Sequence, residues 1–143
     1  MTNLAIEESK HSHCVRLNVG AILVDSYTGD IITSCHNRPA KNHVHICNDS
    51  GCIDIIHAET LVILSSRTRD MSKCTMYVTH EPCYYCAKLI VESGISCVVF
   101  EKEYVSKTGH TGGLDLLSKS NVCVVQYIRR SVDNLVTHHT SSK

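Results

Sequence analysis

Met76 to Phe100 reads MYVTHEPCYYCAKLIVESGISCVVF. Met76-Tyr77-Val78-Thr79 has the aromatic and β-branched content of a strand. From Cys83 to Ser93 the apolar spacing becomes helical, with Cys86, Ala87, Ile90 and Val91 facing inward and Gly94 as the stop. Cys97-Val98-Val99-Phe100 is again a strand. Strand, helix and strand in succession predict parallel strands joined by a right-handed crossover.

Upstream, Val19 to Val24 reads as a buried strand, Ser26 to Asp30 as a turn and Ile31 to Cys35 as the hairpin partner. Asn37 to Gly51 holds Pro39 and few apolar side chains, so it is expected to be a long irregular connection. His57 to Leu64 suits a helix, with His57, Leu61 and Leu64 on one face. Downstream, Leu114 to Lys119 is a short helix and Val122 to Val125 a last strand. The pattern weakens after Tyr127, and about 128–143 is expected to be a weakly structured tail, with the adjacent His138 and His139 in it. The expected fold class is α/β: a three-layer α/β/α arrangement around a mixed sheet of about five strands, in a single domain over 1–143.

The 143 residues carry 14 basic and 14 acidic side chains, so the formal net charge is zero. That balance gives no broad electrostatic footprint for nucleic acid. The N-terminus lacks a signal-peptide pattern and no apolar run reaches membrane-spanning length, so a cytoplasmic place is expected and a membrane partner is not. Nine cysteines, an odd number, without such a signal argue against a disulfide framework. Cys35, Cys74, Cys97 and Cys123 lie in or beside apolar strand-like runs and are expected to be buried reduced thiols.

Two motifs carry the chemistry. His57-Ala58-Glu59 is followed, 23 residues after Glu59, by Pro82-Cys83-Tyr84-Tyr85-Cys86. Neutral imidazole and thiolate are the usual zinc ligands, and three of them (His57, Cys83 and Cys86) leave a fourth position for water. Glu59 sits two residues from the histidine, where it can move protons without binding the metal. H-x-E followed by P-C-x-x-C is the signature of zinc nucleobase deaminases. One catalytic zinc per chain is therefore expected, with Glu59 as the catalytic residue. The alternative is a closed structural zinc site with Cys52 as fourth ligand; it leaves Glu59 and Pro82 unexplained.

With these residues in view, the chain resembles deoxycytidylate (dCMP) deaminases of the cytidine deaminase superfamily, the bacterial, phage and viral type. The carrying stretches are Cys14 to Ala21, Gly51 to Glu59, Met76 to Thr79, Pro82 to Ile90 and Ser93-Gly94-Ile95. The resemblance implies conversion of dCMP to dUMP for thymidylate supply, with the host cytoplasm as the place of action if the source is viral; dCTP is a further candidate substrate. It implies that the Ala58 backbone holds the pyrimidine carbonyl, that Asn37 contacts base or sugar, and that Tyr104 closes over the substrate. It also implies a homo-oligomer, commonly a hexamer, with dCTP as activator and dTTP as inhibitor; magnesium would accompany such an effector.

The chain departs from that family in three places. Cys35-His36-Asn37-Arg38 stands where the family usually has Gly-Tyr-Asn-Gly, Leu61 where it usually has Asn, and Glu81 where Ser often precedes the Pro-Cys pair. Asn37-Arg38-Pro39 and Glu81-Pro82-Cys83 are similar to tRNA adenosine deaminases and purine-type members. The alternative reading is thus a polynucleotide or purine-base deaminase. Cys14, His43, His45, Cys47 and Cys52 form a candidate set for a second, structural zinc; the competing reading is a polar loop with incidental His and Cys. Arg16, Arg38, Lys41 and Lys107 are the candidates for a substrate phosphate.

Overall fold

The computed structural model describes residues 1–14, 16–48, 51–67, 69–104 and 112–129; for 47, 48 and 51–53 it describes the backbone alone. The elements are α1 (Thr2–Ser9), β1 (Gly20–Asp25), β2 (Ile31–His36), β3 (Arg38–Pro39), β4 (Ile46–Asn48), β5 (Gly51–Ile53) and β6 (Ile55–Ile56). They continue with α2 (Ala58–Ser65), β7 (Cys74–His80), α3 (Tyr84–Ser93), β8 (Cys97–Lys102), α4 (Gly113–Lys119) and β9 (Cys123–Gln126).

Five strands form one sheet in the order β2-β1-β7-β8-β9. β1 pairs antiparallel with β2 and with β7, while β7, β8 and β9 run parallel. The sheet is therefore mixed, as the hairpin-then-alternation pattern predicts. Alternation along β1 separates two cores. Ala21 and Leu23 join Ala58 and Val62 of α2, Met76 and Val78 of β7, Ala87 and Ile90 of α3, Val98 and Phe100 of β8, and Leu117 of α4. Ile22 and Val24 face the other way, against Ala5 of α1 and Tyr77. Three helices cover one face and α1 lies on the other, which makes the three layers.

Helix α1 has no counterpart in the sequence pattern. It docks through backbone rather than through an apolar stripe. A Cβ on Gly20 would stand 2.1 Å from the Ala5 carbonyl oxygen and 2.6 Å from the Ser9 nitrogen, so only glycine admits the helix at this distance. Arg129 ties the far end of the described chain back to the same region. Its Nε donates to Glu101 Oε2 at 3.0 Å, and a terminal nitrogen donates to Asn3 Oδ1 at 2.9 Å.

Other expectations need correcting. The connection from Asn37 to Gly51 is not wholly irregular: β3 pairs with β6, and β4 begins a hairpin with β5. On α2 the buried residues are Ala58, Glu59, Leu61 and Val62, whereas Leu64 is exposed, because the helix faces the sheet along that stripe. Cys74 is buried, but Cys35 and Cys97 are only half-buried and Cys123 is exposed, since β9 is an edge strand. Gly94 does end α3, in the left-handed conformation (φ 86°) that favours glycine. The tail from residue 130, with His138 and His139, lies outside the described residues. Among the described residues, no helix is long and apolar enough to cross a membrane.

The docking of α1 has a measurable consequence. Gly20→Ala is expected to cost on the order of 1–3 kcal/mol of stability, the range for overpacking a filled site. A urea midpoint equal to that of the wild type would contradict the close packing of α1 on β1.

Candidate metal centre and active site

The topology brings four segments to one end of the sheet. β7 and β8 end there, and so does β2; β1, antiparallel to them, begins there. Ligand sites of open α/β sheets lie outside the carboxyl ends of parallel strands. β7 delivers the chain through Glu81 and Pro82 to Cys83, the N-cap of α3. The short β3–β6 ladder (Arg38 with Ile56, Pro39 with Ile55) sets Asn37 beside the approach to His57, the N-cap of α2. Both caps have extended backbone, φ −68° and ψ 148° at His57 and φ −70° and ψ 169° at Cys83.

The two caps and Cys86 converge. His57 Nδ1 lies 3.3 Å from Cys86 Sγ and 3.6 Å from Cys83 Sγ. The three ligand atoms lie within 4.8 Å of one another, and no other group of three or more metal-binding side chains occurs among the described residues. A tetrahedral zinc with ligands at about 2.0–2.3 Å separates imidazole nitrogen from thiolate sulfur by about 3.5 Å. The two observed nitrogen–sulfur spacings fit that ion. The Cys86 N–H donates to Cys83 Sγ at 3.5 Å, and the Thr60 hydroxyl lies 3.7 Å from Cys86 Sγ. The sequence motifs do not point to Thr60, although it follows His57 by three positions and so shares its helix face.

The electrostatics suit a cation. The hydrogen bond with the Cys86 thiol, helped by His57, pulls the Cys83 thiol down to about 4. The same bond and burial push Cys86 up, so the pair keeps one proton on Cys86. The hydrogen bond with Cys83 raises His57. A bound dication reverses this order, because a coordinating thiol is deprotonated outright.

Glu59 is 4% exposed, on the first turn of α2, and it is not one of the clustered ligands. Burial pushes its carboxyl up to about 7, with His57 pulling the other way. A buried carboxyl next to the cluster but outside it is placed for acid–base work. Ala58 beside it is fully buried. As the first residue of α2 it has an N–H without an intrahelical acceptor.

Asn37 is buried and braces the loop before β1: its Oδ1 accepts from Val19 N at 2.9 Å and its Nδ2 donates to Leu17 O at 2.8 Å. One amide hydrogen and one lone pair stay available for another partner. Tyr104 is half-buried just beyond β8, and its N–H donates to Glu81 Oε1 at 3.4 Å. Behind the site, Gly20 N donates to Thr79 Oγ1 at 3.2 Å. Burial lowers the His80 ring, whose Nδ1 lies 2.8 Å from Thr79 Oγ1. His36 Nδ1 lies 2.7 Å from Glu8 Oε2, tying the Cys35–Arg38 segment to α1. Of the second-zinc set, the side chains of Cys47 and Cys52 lie outside the description, although their backbones are register partners; Lys107 lies in the undescribed 105–111.

An α/β sheet with a His/Cys/Cys cluster and a buried non-ligating carboxyl is the arrangement of the zinc deaminase class. Residues 1–102 match the family model of the cytidine and deoxycytidylate deaminase zinc-binding region. The chain belongs to that family. It is 35% identical over 124 residues to ComE operon protein 2 of Bacillus subtilis, covering 80% of this chain and 62% of that protein. It is 32% identical over 116 residues to the deoxycytidylate deaminase of Mycobacterium phage D29, covering 70% of this chain and 90% of that one. The chain spans under two thirds of the B. subtilis relative and 36% of the mouse deoxycytidylate deaminase. The dCMP deaminase of cyanophage S-TIM5, solved in complex with dCMP and dUMP, superposes with a TM-score of 0.75 at 28% identity, over 88% of this chain and 93% of that one. A structure from work on tRNA:A34 deaminases superposes with a TM-score of 0.59 at 20% identity, which shows the fold alone.

Metal analysis separates the roles. Replacing His57, Cys83 or Cys86 by alanine is expected to abolish zinc retention after dialysis, whereas Glu59→Gln retains one zinc per chain. In the metal-free protein, Glu59 binds its proton more tightly folded (about 7) than at its ordinary 4.5. The Glu59 contribution to folding stability therefore falls as pH rises from about 4.5 to about 7, where the folded state still holds a proton that the unfolded chain has lost. Metal-free Glu59→Gln is expected to lack this slope; parallel denaturation curves for both proteins at pH 5 and 7.5 would contradict it.

Proposed function

We propose that the chain catalyses zinc-dependent hydrolytic deamination of dCMP to dUMP, with dCTP as a second substrate, and so serves thymidylate supply. The observation that carries this reading is the buried Glu59 carboxyl beside the His57–Cys83–Cys86 cluster, in a chain that matches phage dCMP deaminases over most of its length. His57, Cys83 and Cys86 hold the zinc. When bound, zinc supplies a hydroxide-like nucleophile at neutral pH.

The chain's own groups do the rest. Water's oxygen bonds to the ring carbon that carries the amino group, and the carbon–nitrogen bond breaks, so that dCMP and water give dUMP and ammonia. Glu59 delivers a proton to the ring nitrogen and then one to the departing amine, the acid–base role open to a buried carboxyl that is not a ligand. The free Ala58 N–H holds the pyrimidine carbonyl. Asn37 contacts base or sugar with its remaining amide hydrogen, and Tyr104 closes over the substrate. Arg16, Arg38, Lys41 and Lys107 are the candidates for the phosphate.

The resemblance also supports a homo-oligomer, a hexamer, with dCTP activation, dTTP inhibition and magnesium beside the effector. In this chain His36, standing where the family has tyrosine, lies 2.7 Å from Glu8 Oε2. The phage relatives support the cytoplasm, the host's if the source is viral, as the place of action. A structural zinc at Cys14, His43, His45, Cys47 and Cys52 is supported by the pairing of Cys47 with Cys52 across the β4–β5 hairpin. Against the polynucleotide or tRNA adenosine reading stand the zero net charge and the closer match to nucleotide deaminases.

Ultraviolet-monitored turnover tests the proposal. Zinc-loaded protein is expected to deaminate dCMP, and Glu59→Gln to lose at least 100-fold in kcat, about the lower range for a general acid–base group. No turnover of dCMP, dCTP, CMP or deoxycytidine by protein holding zinc would overturn it and turn attention to purine substrates.

A further inference from the structure

The proposed metal centre depends on how firmly the Cys83 ligand is held, and the peptide carrying it is clamped on several sides. Glu81 N donates to Lys102 O at 2.7 Å, which fixes the approach to β8. Cys83 O accepts from Ala87 N at 2.8 Å, the opening bond of α3. Pro82 between them is fully buried.

The start of α4 closes the remaining side. A Cβ on Gly113 would stand 2.6 Å from the Pro82 carbonyl oxygen and 3.3 Å from the Cys83 carbonyl carbon and oxygen. Those are backbone atoms, which cannot swing aside as a flexible side chain can. Gly113 does not have the left-handed backbone that calls for glycine; its predecessor Gly112 does, at φ 94°. As the first residue of a helix, position 113 would be better served by alanine on propensity alone. Glycine there is explained by space: it lets α4 seat directly on the Pro82–Cys83 peptide.

We infer that Gly113 is a positioning residue for the metal centre, seating α4 against the Pro82–Cys83 peptide so that Cys83 Sγ stays in reach of His57 and Cys86. This rests on the metal reading of the site but not on the identity of the substrate. A side chain at 113 must push either α4 outward or the ligand peptide toward the site.

The test uses the full chain loaded with zinc or cobalt(II). Gly113→Ala is expected to release zinc to excess chelator at least tenfold faster and to alter the thiolate-to-cobalt absorption band, with far-ultraviolet circular dichroism unchanged. Leu117→Ala, one helical turn further along the buried side of α4, serves as the control; it lowers stability and keeps the wild-type band and release rate. A Gly113→Ala protein with wild-type band and rate would overturn the inference, as would equal changes in Leu117→Ala. Should Gly113→Ala not fold, hydrogen exchange of the wild type decides. Coupling between metal and α4 is reciprocal, so zinc removal is expected to lower protection at the Leu116 and Leu117 amides together with Ala87. Unchanged protection in α4 would overturn the inference. Wild type that takes up neither metal overturns it together with the metal reading, whereas loss of dCMP turnover with normal metal uptake touches only the substrate assignment.

Discussion

Everything at the site depends on bringing two helix beginnings within a few ångströms of each other. A three-ligand metal centre tolerates little error, and here its donors come from separate elements: His57 caps α2, while Cys83 and Cys86 open α3. Neither helix could place its donors alone. The sheet solves the problem because β7 feeds α3 directly and the β3–β6 ladder feeds α2, both at the same end. N-terminal partial charges of the two helices then point at one spot, which favours thiolate and other negative charge there.

Burying Glu59 at this spot works against folding and for chemistry. A carboxylate removed from water is expensive unless it is paired or protonated, and burial accordingly pushes the Glu59 carboxyl up. The surrounding core supplies the compensation. Ala58 and Val62 of the same helix pack into the main cluster with Leu23, Met76 and Ile90. The site is thus a polar island set against the main hydrophobic cluster.

The amino-acid pattern makes the middle of this picture legible and leaves its edges opaque. The strands β1, β7 and β8 are legible as apolar runs and α3 by its helical spacing, because each packs into the core, whereas the short β3–β6 and β4–β5 pairs carry no such pattern. The metal motif is readable because ligand chemistry restricts both residue type and spacing. Helix α1 is hidden for the opposite reason: its TNLAIEES sequence has no apolar stripe, and it docks by bringing its backbone against Gly20. The use of Asn37 to brace Leu17 and Val19, and of Gly113 to admit α4, depends on contacts between distant segments. Residue type alone gives no hint of them. Cys123 reads as buried and is exposed, because nothing local distinguishes an edge strand from a covered one.

The pairing of β1 has a bearing on how the chain assembles. The β1–β2 hairpin is local and can close as soon as Ile31 to His36 are available. The other edge of β1 pairs with β7, from Ala21 opposite Val78 to Asp25 opposite Cys74. Such long-range pairing is slow to form, because a large loop must close before any contact rewards it. During synthesis the hairpin therefore leaves the ribosome with a bare hydrogen-bonding edge, and it waits for the second half of the chain. Metal uptake belongs to the end of that process, when β7 has docked and carried Cys83 and Cys86 to the histidine.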